Sequence, residues 1–78
     1  MSILKFSTPG CSPCYALSVL LDEMMVDYDD IDITKDVEAA ITHRIRSVPT
    51  LVDTVTNARL SSFTSRAAVE AWLDDNQS

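Results

Sequence analysis

Two cysteines, Cys11 and Cys14, are the residues of this sequence best suited to carry out chemistry. Ser12 and Pro13 separate them, so the pair forms a Cys-x-x-Cys motif. A thiolate of such a pair can attack a disulfide, and the second thiol can then displace the bound sulfur. The motif therefore indicates dithiol redox chemistry, with metal binding as the main chemical alternative.

The position of the motif fits redox chemistry, because a short apolar strand ends at Thr8-Pro9-Gly10 and a helix follows. The unpaired N–H groups and the positive dipole end of a helix N-terminus favour a nearby anion. We therefore expect the pKa of Cys11 to lie below that of a free thiol, and Cys11 to be the attacking nucleophile. Cys14, one turn into the helix, is expected to be more buried and to resolve the mixed disulfide.

Other uses of the two cysteines remain open at this point. A zinc site needs four ligands, and His43 is the only other good candidate, so such a site would require a dimer. A structural disulfide is uncommon in a reducing compartment, and two inert buried thiols are possible in any core. His43 itself falls late in a predicted helix, where a surface or capping role is expected.

The hydrophobic pattern predicts alternating strands and helices. Apolar residues between Leu17 and Met24 recur at the spacing of an amphipathic helix, whereas Ile31 and Ile33 alternate as they would in a strand. The predicted elements are strands 2–7 and 26–33, helices 11–25 and 35–44, a hairpin of strands 50–54 and 58–61, and a last helix capped by Thr64 or Ser65. The order β-α-β-α-β-β-α predicts one α/β domain over residues 1–78, a mixed four-stranded sheet with three helices on its two faces.

Four local expectations refine this architecture. Thr34 is expected to cap the second helix, and Asn57 to occupy the hairpin turn. The second helix is expected to bury a stripe made of Val37, Ala40, Ile41 and Ile45. The last helix is expected to bury Val69, Trp72 and Leu73.

Composition limits the class of protein. The chain has 78 residues and a formal net charge of −6 from twelve acidic and six basic residues, which argues against a nucleic-acid-binding role. Eight acids fall between Asp22 and Glu38, most simply as a solvated surface. Two cysteines are too few for a disulfide scaffold, and no apolar run reaches the length of a membrane span or signal peptide. We therefore expect a cytoplasmic monomer without a bound metal or organic cofactor.

Two segments together resemble the thioredoxin-like superfamily: 8–15, which reads Thr-Pro-Gly-Cys-Ser-Pro-Cys-Tyr, and 47–50, which reads Ser-Val-Pro-Thr. The glutaredoxins and the glutaredoxin-like NrdH redoxins are the most similar branches. The resemblance implies a thioredoxin fold over the whole chain. It also implies that Pro49 is cis and that the Val48 backbone pairs with an extended substrate beside Cys11. The other positions expected to contact substrate are Thr8, Tyr15, Ser62, Phe63 and Thr64; for Tyr15, packing on the hairpin is an equal alternative.

Departures from the family patterns bear on the reductant. Thioredoxins usually place a buried Asp where this chain has Lys5, and glutaredoxins often have Lys in place of Thr8. Glutaredoxins also carry Gly-Gly and an acid before the last helix, whereas residues 60–64 read Leu-Ser-Ser-Phe-Thr, close to the Ser-Gly-Phe of NrdH redoxins. That branch is reduced by thioredoxin reductase and serves ribonucleotide reductase.

The resemblance thus implies a small dithiol redoxin that reduces protein disulfides, ribonucleotide reductase among them, and that thioredoxin reductase regenerates. A glutathione-dependent glutaredoxin is the alternative, with Thr64, Ser65 and Arg46 or Arg66 able to hold a carboxylate. A metal- or cluster-binding module, or an adaptor on the same fold, is the alternative of another class.

Overall fold

In the described part of the chain, the strands form one mixed four-stranded sheet, which confirms the predicted fold class. A computed structural model describes residues 3–61 and 65–77. The strands lie in the order β2-β1-β3-β4, with β1 parallel to β2 and antiparallel to β3. The elements are β1 (Ile3–Ser7), α1 (Ser12–Glu23), β2 (Asp29–Asp32), α2 (Val37–Thr42), β3 (Thr50–Asp53), β4 (Arg59–Leu60) and α3 (Arg66–Gln77).

One face of the sheet carries the main hydrophobic core. Side chains alternate along a strand, so Ile3 of β1 and Leu51 of β3, which is paired with Lys5, point to the same side, where α1 and α3 cover them. Trp72 is half-buried at the margin of this core. The buried members of the core are Ile3, Leu17, Leu20, Leu21, Leu51, Val69 and Leu73.

The opposite face of the sheet contacts the C-terminal end of the short helix α2. Phe6 is fully buried, and its ring centroid lies 5.5 Å from that of His43. The His43 carbonyl accepts a 2.6 Å hydrogen bond from Nη1 of Arg59 on β4. His43 is the C-cap of α2, which confirms the capping role expected from sequence, and its half-buried ring also packs on Phe6.

The predicted buried stripe of the second helix is wrong. α2 spans six residues and buries none of them; Val37 is 54% exposed and Ile41 is 70% exposed. Ala40 and Ile45 are half-buried. A helix of fewer than two turns has too short a face to cover the sheet along its length.

The start of α2 also differs from the prediction. Asp36 is the N-cap, and its carboxylate accepts a 3.1 Å hydrogen bond from the N–H of Ala39. Thr34 instead closes the end of β2, donating its N–H and its hydroxyl to Asp32 Oδ1 at 2.9 and 2.6 Å. These hydrogen bonds, the hydroxyl first, hold the pKa of Asp32 below the ordinary aspartate value.

The remaining boundaries shift by a few residues. Cys11 and Met24 cap α1, so the helix is shorter than predicted. Met25 has a φ of 57°, and the N–H of Val26 still bonds to the Leu21 carbonyl, which delays the start of β2 until Asp29. Asn57 has a φ of 61° in the turn between β3 and β4, as expected of a residue that tolerates the left-handed region.

None of the helices in the described ranges has the length and apolar character needed to cross a bilayer.

Candidate active site

The two cysteines lie at the N-terminal end of α1 and are joined as a disulfide. Their Cα atoms are 5.2 Å apart. Cys11 is half-buried, whereas Cys14 is only 3% exposed. An incoming sulfur therefore has access to Cys11 far more readily than to Cys14, which is the asymmetry expected from the sequence.

A backbone N–H at the start of α1 donates to the sulfur of Cys11. Cys11 is the N-cap, and its Sγ accepts a 3.1 Å hydrogen bond from the N–H of Cys14. Pro13 lies in the first turn, where its missing N–H costs no intrahelical bond. An N–H donor and the positive end of a helix dipole are the features that favour a thiolate over a thiol at such a position.

Gly10 allows the abrupt change from strand to helix. Its φ is +75°, in the left-handed region that disfavours side chains. A Cβ at this position would meet no atom within 4 Å, so backbone conformation and not crowding favours glycine there.

A cavity of about 490 Å³ opens beside the disulfide. Thr8, Cys11, Cys14 and Tyr15 all line it, so the structure brings these four predicted site residues together. Tyr15 is 74% exposed at this rim, which favours the rim position over packing against the hairpin.

Val48 and Pro49 approach the same end of the sheet from another element. The Val48–Pro49 peptide bond is cis, which confirms the geometry that the resemblance implied. Phe6 near the end of β1 pairs with Thr50 at the start of β3. The segment before Thr50 therefore lies beside the segment after β1 that leads to Cys11. Val48 and Pro49 are not among the residues that line the 490 Å³ cavity.

Three predicted contact residues, Ser62, Phe63 and Thr64, fall outside the described residues. Next to them, the Ser65 hydroxyl accepts a 3.2 Å hydrogen bond from the Ala68 N–H, as a helix cap does.

The two arginines considered for carboxylate binding differ in their surroundings. Arg66 forms ion pairs with Glu70 at 2.9 Å and Glu23 at 3.9 Å on the exposed helix surface. Arg46 lines a second cavity of about 360 Å³ together with Arg44 and Arg59.

The described part of the chain contains no cluster of three or more His, Cys, Asp and Glu side chains able to hold a metal ion. His43, the residue considered as a third ligand, has its ring against Phe6.

Six residues that line the cavity were not among the predicted site residues, and two of the six are charged. Lys5 and Asp30 line it with the cysteines, and Lys5 Nζ lies 3.2 Å from Asp30 Oδ2. Lys5 had a signal in the sequence, because it interrupts the apolar strand and shares a face with Ile3. Asp30 had none, since 25 residues separate it from Lys5 and only the pairing of β1 with β2 joins them.

Comparison with known proteins agrees with the fold and the motif. A family model described as Glutaredoxin matches residues 3–54. Thioredoxin-3 of Dictyostelium discoideum is 30% identical over 81 residues, covering 95% of this chain and 78% of that protein. The gene 56 protein of Mycobacterium phage D29 is 40% identical over 37 residues, 47% of this chain.

Some of these similarities are partial, and one is structural only. The matched segments span 41% of the phage protein and 65% of the thioredoxin-like protein YosR of Bacillus subtilis. The glutaredoxin-like NrdH-redoxin of Escherichia coli superposes with a TM-score of 0.76 at 20% identity, covering 91% of this chain and 93% of that one. The superposition confirms the thioredoxin fold expected from the resemblance.

Proposed function

This chain belongs to the glutaredoxin family of the thioredoxin-like superfamily, and we propose that it catalyses thiol–disulfide exchange with protein disulfides as substrates. The observation that carries the proposal is the contrast between its two sulfurs. Cys11 is accessible and accepts a helix N-terminal N–H, while Cys14 is buried one turn further on. This arrangement suits one attacking and one resolving thiol.

In the first step, the Cys11 thiolate attacks one sulfur of a client disulfide. A mixed disulfide forms between Cys11 and the client, and the client's other sulfur leaves as a thiolate that takes a proton from solvent. The Cys14 N–H that bonds Cys11 Sγ stabilises the attacking thiolate before this step. Thr8 and Tyr15, at the rim of the cavity, are proposed to contact the client around the reacting sulfurs.

In the second step, Cys14 loses its proton to solvent, and its thiolate attacks Sγ of Cys11. The Cys11–Cys14 disulfide forms, and the second client sulfur leaves as a thiolate. Two electrons have then passed to the client, and the protein is in the oxidised state that the structure contains. The backbone of Val48, beside the cis Pro49, is proposed to hold the client chain in an extended conformation during both steps.

We further propose that the dithiol is regenerated by thioredoxin reductase, and that ribonucleotide reductase is one client. The one glycine of the chain is Gly10, so residues 60–64 contain no Gly-Gly pair. These residues also contain no acid, and a typical glutathione site has both features. The similarity to NrdH redoxins in this segment supports the same assignment. Ser62, Phe63 and Thr64 are the residues proposed to contact the reductase or client there.

A paired assay tests the proposed oxidoreductase function and the proposed reductant. The oxidised protein, a disulfide-containing test protein and NADPH are mixed either with thioredoxin reductase or with glutathione and glutathione reductase. We expect sustained NADPH oxidation with thioredoxin reductase and little with glutathione. Turnover only in the mixture that contains glutathione and glutathione reductase would overturn the proposed reductant. Turnover in neither mixture would overturn the oxidoreductase function.

Two cysteine variants supply matched controls for that assay. Cys11→Ser is expected to abolish turnover, because the remaining thiol is buried. Cys14→Ser is expected to stop at the first step and to accumulate a covalent adduct of one protein with one client, visible by non-reducing electrophoresis. Equal multiple-turnover rates for Cys14→Ser and the unaltered protein would contradict the assigned resolving role.

A further inference from the structure

A lysine is buried in the cavity that both cysteines line. Lys5 is 2% exposed and lies in the middle of the central strand β1. Lysine is almost never fully buried unless its ammonium group is paired, because removing that charge from water is costly. Its presence beside a redox pair therefore calls for an explanation beyond packing.

Asp30 on the neighbouring edge strand provides the pairing. Its Oδ2 lies 3.2 Å from Lys5 Nζ, and its Oδ1 accepts a 2.8 Å hydrogen bond from the Ser7 hydroxyl. The Tyr28 ring centroid lies 5.9 Å from the ammonium group. Lys5 and Asp30 are direct register partners in the parallel β1–β2 pair, so the sheet itself fixes their contact.

Within the described part of the chain, these two residues are the charged side chains that line the cavity. β1 contributes Lys5 and β2 contributes Asp30, whereas the lining residues of the helix α1 include no carboxylate, ammonium or guanidinium group. The pair is neutral as a whole. A thiolate formed in the cavity would thus be attracted by the Lys5 ammonium and repelled by the Asp30 carboxylate beside it.

The two fields differ in strength because the two groups differ in exposure. The Lys5 side chain is 2% exposed, whereas that of Asp30 is 52% exposed. Water screens the charge of Asp30, while the field of a buried ammonium acts through a medium of lower dielectric. The net effect on a thiolate in the cavity should therefore be attractive.

We propose that the Lys5–Asp30 ion pair sets the acidity and the reduction potential of the Cys11–Cys14 dithiol, with Lys5 stabilising the thiolate and Asp30 moderating that stabilisation. Both are positioning residues, because they act on the sulfurs through their fields and not by bonding to substrate. The inference deepens the proposed oxidoreductase function and rests on it for its biological meaning. Stabilising the thiolate stabilises the reduced protein, which makes the dithiol a stronger oxidant.

Two substitutions should shift the thiol pKa and the reduction potential of the dithiol in opposite directions. Lys5→Met removes the buried cation and leaves the carboxylate, so the lowest thiol pKa should rise and the dithiol should become more reducing. Asp30→Asn leaves the ammonium unopposed, so that pKa should fall and the dithiol should become more oxidising. A change of one pKa unit appears as about a tenfold change in alkylation rate below the pKa.

The experiment measures three quantities for each variant. Alkylation rate against pH gives the thiol pKa, equilibration with a glutathione redox buffer gives the potential, and circular dichroism confirms the fold. Lys35→Met and Asp29→Asn are the matched controls. They make the same charge changes at exposed positions, with Asp29 paired to Leu4 and hence facing the other side of the sheet. Both controls should leave the two dithiol quantities unchanged.

Opposite shifts for Lys5→Met and Asp30→Asn, absent from the controls, would support the proposal. Shifts of the same sign, or none in a folded Asp30→Asn protein, would overturn it. If Lys5→Met does not fold, the direction of the Asp30→Asn shift alone decides. None of these measurements needs a client or a reductase, so failure of the proposed turnover and failure of this inference are separate results.

Discussion

At the scale of single residues, the place of a side chain in its helix or strand decides its hydrogen bonding and its burial. Cys11 and Cys14 are the same residue type three positions apart, yet one accepts a helix N-terminal N–H and the other is buried. Their spacing predicted this difference, because the first helical turn fixes it locally. The burial of Lys5 could not be predicted from local sequence, because its ammonium group is paired with a carboxylate on another strand.

Asp32 offers a residue-scale test of pH dependence. Its pKa is depressed chiefly by the Thr34 hydroxyl, so the Asp32–Thr34 contact stabilises the fold above the ordinary aspartate pKa and is lost as pH falls through the depressed value. We expect Thr34→Val to raise the Asp32 pKa towards the ordinary value, as measured by NMR titration of the carboxyl group. Thr56→Val, in another turn, should not move it. An unchanged Asp32 pKa in Thr34→Val would contradict this account.

At the scale of elements, α1 and α2 show that one hydrophobic pattern can have two outcomes. Both segments carry apolar residues at helical spacing, which predicted a buried stripe in each. α1 runs for twelve residues and buries Leu17, Leu20 and Leu21. α2 runs for six, and Ile41 remains 70% exposed. Periodicity identifies the helix, but its length and docking decide what it buries.

A pair of substitutions tests this difference. Leu21→Ala should lower the free energy of unfolding by about 3 kcal/mol, because it leaves a cavity at a fully buried site. Ile41→Ala should change it by less than about 0.5 kcal/mol, because Ile41 is exposed. Urea denaturation followed by circular dichroism measures both. Comparable losses in the two variants would show that Ile41 is buried in solution.

At the scale of the whole molecule, charge is segregated along the chain. Eight of the twelve acids lie between Asp22 and Glu38, whereas Arg44, Arg46 and Arg59 line the second cavity beside Ser47. Ser47 directly precedes the Val48–Pro49 segment proposed to hold the client. A positive surface next to this segment, on a chain of net charge −6, should attract acidic clients and not basic ones.

Two disulfide peptides of equal length and opposite charge would test this preference. We expect kcat/KM for the acidic peptide to exceed that for the basic peptide by about tenfold at low salt, because opposite charges speed encounter. The ratio should fall towards one as ionic strength rises and the Debye length shrinks below about 10 Å. A preference for the basic peptide, or a ratio insensitive to salt, would show that the arginines do not guide the client.

The sequence by itself determined the features that arise from neighbouring residues. The motif Cys11–Cys14, its place at a helix start, the turn at Asn57 and the order of elements all follow from short-range spacing and turn chemistry. The cis Pro49 came from resemblance, because the residues alone show only a proline before a strand.

Only the tertiary structure decided the features that depend on contacts between distant segments. It paired Lys5 with Asp30 across two strands, placed both in the cavity of the cysteines, and left Ile41 in solvent. The physical reason is that burial and ion pairing depend on strand register and helix docking. These join residues far apart in the chain, and a local pattern contains no record of them.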